Sequence, residues 1–297
     1  MDDLYKVKMI SVFKGIIDSD SIPTKERFAD IDMKSITSLS SKMIKKYNLF
    51  NEKGIWIDSS LFECINSIYY TYGIIGASNI CEAINNKTFN VKDYSKVLEN
   101  AISNGIKIYN DAYISCANKA FGYDRKHDNH LALLNKMFNE DKIQEKIVKC
   151  KTMEEAFNII KSYPLIGNFM AYQLVTDINY SEIVNWREDE FTVAGPGSLR
   201  GIKKCFIDKG KMSNEDIIRY MYKHQEEEFK RLNLDFKKIG NRPLQLIDCQ
   251  NIFCELDKYC RQALPDLKSN RTKIKKHYIP KKEIIEYIYP SKWKLNN

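Results

Sequence analysis

The sequence predicts a mainly α-helical protein. Apolar residues recur at helical spacing along most of the chain, period-two alternation is nearly absent, and 297 residues include only 12 Gly and 7 Pro. The first periodic stretch is 59–85, where Leu61, Ile65, Ile68, Tyr72 and Ile75 carry the apolar positions. Further helices are expected over about 94–103, 106–120, 130–138 and 141–149. Thr152 followed by Glu155 is a capping box that opens a helix over 153–162. Pro164 ends that helix, because the residue before a proline avoids the helical region. The next helix is expected over 169–178, and the last two over 214–232 and 249–263. Ile55-Trp56-Ile57 is the best short strand candidate, and there is no internal repeat.

A hydrophobic share of 43% is enough for a substantial core, and the length allows one large domain or two that share a cleft. No apolar run approaches the roughly 18–20 residues of a membrane helix, so an integral membrane protein is not expected. The acidic start Met1-Asp2-Asp3 carries no secretory pattern, and a cytoplasmic, reducing setting is expected. The eight cysteines contain no C-x2-C pair. The cluster Cys249, Cys254, Cys260 has neither zinc nor iron–sulfur spacing, so no metal and no cofactor is expected.

Charge divides the chain further. Residues 268–297 hold nine Lys and Arg against Glu283 and Glu286, nearly the whole net charge of +8. Tyr278, Tyr287, Tyr289 and Trp293 are interleaved with them. Such a tail suits nucleic acid, where cations neutralise phosphates and rings stack on bases, or else it is a solvated basic end. Three regions are expected: a helical region 1–105, a chemistry-bearing region 106–267 and the basic aromatic tail 268–297.

Between the helices 153–162 and 169–178 lies Tyr163-Pro164-Leu165-Ile166-Gly167-Asn168. Helix, short glycine-containing hairpin, helix is the layout of a DNA-binding helix–hairpin–helix element. Gly167 would let the amides at Asn168 and beyond approach a phosphate, which the helix dipole also favours. The alternative is an ordinary packing corner. In the second helix, Tyr172 and Gln173 either meet a base or belong to core and cap. Asp177 lies one turn beyond Gln173 on the same face and is a second candidate for the catalytic acid.

Glu188, Asp189 and Glu190 follow 21 to 23 residues after Gly167. In extended backbone Glu188 and Glu190 share one face and Asp189 takes the other, so not all three are expected in one site. Next comes Gly195-Pro196-Gly197, read as a sharp turn, which with Arg200 just beyond it is expected to form a phosphate- or base-contacting loop. On the last helix Glu255, Lys258, Tyr259 and Arg261 form a polar face, either a phosphate-holding group or a structural ladder of charges.

The series 108–114, 164–173, 191–201 and 254–261 resembles the α-glutamyl/putrescinyl thymine pyrophosphorylase clade, related in fold to helix–hairpin–helix DNA glycosylases, including phage-defence glycosylases acting on hypermodified bases. The resemblance covers about 106–263. It implies a helical glycosylase-like fold with a substrate cleft, and a DNA partner, modified and double-stranded or transiently unpaired. Glycosylases of this kind place an essential aspartate at about the distance of Glu188, Asp189 and Glu190 from the hairpin. The first expectation is therefore a DNA glycosylase. It would excise a flipped-out hypermodified pyrimidine while a carboxylate stabilises the oxocarbenium-like transition state. The alternative is a base-modifying transferase, in which an amine displaces pyrophosphate from an activated hydroxymethyl pyrimidine. Arg200, Lys203, Lys204, Lys258 and Arg261 would then hold the pyrophosphate. A third reading is a non-catalytic DNA-binding module. A monomer is expected.

Overall fold

The computed structural model describes residues 88–106, 108–109, 117–180, 184–236, 238, 240–264, 266–267, 270–271 and 293–294. Its regular elements are all helical: α1 Val91–Ser103, α2 Lys126–Asn135, α3 Ile143–Ile147, α4 Met153–Lys161, α5 Asn168–Asn179, α6 Pro196–Cys205, α7 Asn214–Arg231 and α8 Leu246–Ala263. A π-helical turn, Lys136–Glu140, continues α2. None of the described helices is long and apolar enough to cross a membrane. The strand candidate 55–57, the helix expected over 59–85 and most of the tail lie outside the described residues.

Two compact units part between Arg187 and Glu188, inside the region 106–267, and Trp293 belongs to the first of them. In the first unit, α1 packs on α2 and α4 on α5. Leu98, Leu133, Leu134, Met137, Phe138, Ile143, Ile160, Leu174 and Val175 are among its buried apolar side chains. Asn90 caps α1 by accepting from the Lys92 amide at 2.9 Å. Thr152 caps α4 as expected, its Oγ1 accepting from the Glu155 amide at 3.1 Å. The Glu155 carboxylate, however, takes the amide of Lys151 at 2.7 Å and not that of Thr152. The helix expected over 106–120 is corrected at both described ends, which are irregular, and α2 starts at Lys126. Asn129 shapes the stretch just before it. Buried, it accepts from the Phe121 amide and donates to the carbonyls of Tyr123 and Arg125, which fixes 121–125 as a loop.

At the unit's end, Asn179 acts as a substitute peptide. Its Nδ2 donates to the Trp186 carbonyl at 3.0 Å and its Oδ1 accepts from the Trp186 amide at 2.9 Å. The Trp186 indole in turn donates to the Cys150 carbonyl at 2.9 Å.

In the second unit the closest packing is α6 on α8. Gly195-Pro196-Gly197, expected as a turn, instead opens α6, with Gly195 as N-cap and Pro196 in the first helical position. Proline suits that position because its missing N–H would have no partner there and its φ is already helical. Gly197 and Gly201, one turn apart, face α8. A methyl group on Gly201 would lie 2.7 Å from the Phe253 carbonyl carbon and closer still to its oxygen. Gly197 is held similarly against Cys254, whose Cβ would be 3.1 Å from such a methyl. Ser213 and Asp216 close a reciprocal capping box at the start of α7.

Candidate phosphate-binding cluster on helices α6 and α8

Close approach of α6 and α8 brings four charged side chains together in the second unit. Asp257, with no exposed surface, lies on α8. From α6, Arg200 Nε donates to its Oδ2 at 2.9 Å, and Lys204 Nζ donates to its Oδ1 at 2.8 Å and its carbonyl at 3.3 Å. One turn along α8, Arg261 Nη2 donates to Oδ2 at 2.6 Å. Burial alone would raise the Asp257 carboxyl, but the bonds from Lys204, Arg200 and Arg261 hold it below the usual carboxylate range.

One carboxylate thus faces three cations. Lys204 and Arg261 are almost wholly enclosed, whereas the Arg200 side chain keeps 21% of its surface exposed. Among the described residues Arg200 uses only its Nε, and its two terminal nitrogens make no bond. A guanidinium edge open to solvent in front of two enclosed cations therefore suits a phosphate. Lys258 stands beside the cluster in an ion pair with Glu255, the ladder expected from sequence. Tyr259 is buried.

The acidic triplet has other partners. Glu188 is ion-paired with Arg242 and half-buried, Asp189 lies 3.5 Å from the Tyr222 hydroxyl, and Glu190 is exposed. Arg242 also comes within 3.7 Å of Asp248 in the first turn of α8. Nine residues separate Asp248 from Asp257, about 14 Å along a helix and half a turn around it. The acidic and cationic groups thus occupy different places on α8.

Asp248 is fully enclosed. Burial lifts its carboxyl from 3.8 to about 6, against the opposing Gln245 amide and Arg242, and Glu188 adds to the rise. A carboxyl raised by folding stabilises the fold fully below its ordinary range and loses that contribution as pH rises through about 6. Between those limits this group should lower the unfolding free energy by roughly 3 kcal/mol. Urea titrations across pH 3.5–7 should show that slope in the parent protein and its loss in Asp248→Asn.

In the first unit, the hairpin's left-handed residue is Leu165, at φ 70°, whereas Gly167 has an extended backbone that any residue adopts. A side chain on Gly167 would meet nothing within 4 Å. Gly167 and Asn168 are exposed at the start of α5, which has no side-chain cap. Tyr172, 1% exposed, presents no ring face to a base and belongs to the core. Gln173 and Asp177 are half-buried.

Sequence reasoning missed Asp257, the residue that gathers the cluster. Two signals for it exist: the spacing Asp257–Arg261, and the glycine pair Gly197–Gly201 that lets another helix come close.

A family model described as "5-hmdU DNA kinase, helical domain" matches residues 30–269. The 5-hmdU DNA kinase of Bacillus phage SP10 is 30% identical over 169 residues, covering 52% of this chain and 26% of that protein. The match thus spans about a quarter of that relative's length. No solved structure matches. These matches overturn the expectation of a DNA glycosylase and hydrolase: the relative is named for a kinase, a group-transfer enzyme, and not for cleavage of a base from its sugar. Local geometry gives a physical reason for Glu188, whose charge is already matched by Arg242.

Proposed function

The chain belongs to the family defined by the helical domain of 5-hmdU DNA kinase, and from that membership we propose that it works in the group-transfer modification of a 5-hydroxymethyl pyrimidine in DNA. In the assigned reaction a primary amine attacks the methylene carbon of a pyrophosphorylated hydroxymethyl base. The C–N bond forms as the C–O bond breaks, the bonding pair leaves on the pyrophosphate oxygen, and the amine gives up one proton to water.

The observation that carries this reading is the cluster of Arg200, Lys204 and Arg261 around the single buried Asp257. Its three cations and the open Arg200 edge suit pyrophosphate both in the substrate and as the departing group. Lys258, on α8 with Arg261, is already ion-paired with Glu255. In the first unit, taken by itself, Gly167 and Asn168 are assigned to a DNA backbone on the strength of their exposure at the start of α5.

The test uses DNA carrying 5-(pyrophosphooxymethyl)uracil, incubated with the protein and putrescine. Nucleosides are then analysed by mass spectrometry and released pyrophosphate is measured. The expected product is the putrescinyl base with one pyrophosphate per adduct. Arg200→Ala should lower the rate roughly ten- to hundredfold, the worth of a charge-assisted contact, while Lys211→Ala on the exposed loop behaves like the parent. Absence of both adduct and preferential binding to the activated DNA would refute the proposal.

A further inference from the structure

Helix α6 carries Arg200, Lys203 and Lys204 and no acidic residue. Its buried positions, Gly197, Ser198, Gly201, Ile202 and Cys205, face the unit's interior. At 100° per residue the opposite side runs from Leu199 through Lys203 and Pro196 to Arg200. Leu199 is 41% exposed there, and Pro196 and Lys203 are also exposed. A single exposed leucine is ordinary on a protein surface. This one stands on a helix whose other outward side chains are cations and a proline.

The mount is also rigid. Gly201 rests on the Phe253 backbone, Gly197 on Cys254, and both Arg200 and Lys204 are bonded to Asp257. A helix so fixed holds an outward side chain at a set height above its cations. Apolar wedges that enter a base step need such support, because unstacking costs a few kcal/mol and a yielding side chain would withdraw. Flanking cations supply the phosphate contacts that offset the cost.

We infer that α6 docks on duplex DNA with Leu199 as the wedge that opens the stack beside the target base, while Lys203 holds a flanking phosphate. The inference rests on the DNA reading above. It adds to it a residue that selects an extruded base and makes no contact with the transferred group.

The experiment uses the full chain and a duplex with 2-aminopurine next to 5-hydroxymethyluracil. Binding by the parent protein should raise the 2-aminopurine fluorescence several-fold as the step opens. Leu199→Ala leaves the cations of α6 in place and should bind with the same dependence on salt, yet lose most of that rise. Leu199→Phe should restore it. Lys203→Ala should weaken binding and flatten its salt dependence. A full fluorescence rise with Leu199→Ala overturns the wedge and leaves DNA binding intact. Failure of the parent protein to bind any duplex overturns the DNA reading and the wedge together. Binding of the parent protein, but not of Leu199→Ala, to phosphatidylglycerol vesicles with no rise on DNA would assign the face to an anionic lipid surface and also overturn the wedge.

Discussion

Gly201→Ala is expected to destabilise the second unit by about 2–3 kcal/mol, visible as a lower urea midpoint. Two effects oppose each other. Helix propensity favours alanine over glycine inside a helix by about 1 kcal/mol. Against that, the new methyl would overlap the Phe253 carbonyl. That carbonyl belongs to the backbone of α8, so relief requires the helices to separate. Overpacking of this kind costs about 3 kcal/mol, and separation also lengthens the Arg200 and Lys204 bonds to Asp257. The steric effect wins. Gly197→Ala is the milder comparison, because its nearest obstacle is the Cys254 thiol.

Asp257→Asn should cost about 3–5 kcal/mol, the usual result of removing one partner from a buried ion pair. Three cations would then face a neutral amide, two of them nearly enclosed. The pH dependence has a definite sign. Folding lowers the Asp257 carboxyl, so its contribution is complete above the ordinary carboxylate range and is lost as pH falls through the lowered value. The fall of melting temperature with acid should therefore be shallower in the variant than in the parent. Adding inorganic phosphate at neutral pH should raise the melting temperature of Asp257→Asn more than that of the parent, since an anion that binds only the folded form stabilises it by mass action.

How much of this was legible beforehand follows from the range of each interaction. Helices expected over 153–162 and 169–178 emerge as Met153–Lys161 and Asn168–Asn179, because cap, period and proline are all local signals. The expectation at 214–232 was equally close, as Asn214–Arg231. Helix α6 was hidden because glycine and proline mark turns as readily as a first helical turn, and only the buried spacing beyond Pro196 separates the two. Leu165 was hidden for the opposite reason: its left-handed backbone is imposed by the hairpin, against the preference of its own side chain.

The site divides in the same way. The pair Glu255–Lys258 lies within one helical turn and could be read directly. Asp257 meets Lys204 and Arg200 across 53 and 57 residues, and Glu188 meets Arg242 across 54. No local pattern announces such partners. Three adjacent acids therefore looked equivalent until the fold gave each a different neighbour.

One amide side chain carries the junction at the end of the first unit. By bonding both the amide and the carbonyl of Trp186, Asn179 fixes that residue's backbone, and the indole is then placed to reach the Cys150 carbonyl. The end of α5 and the segment that leads into α4 are thus tied through a single asparagine, and its loss would release both.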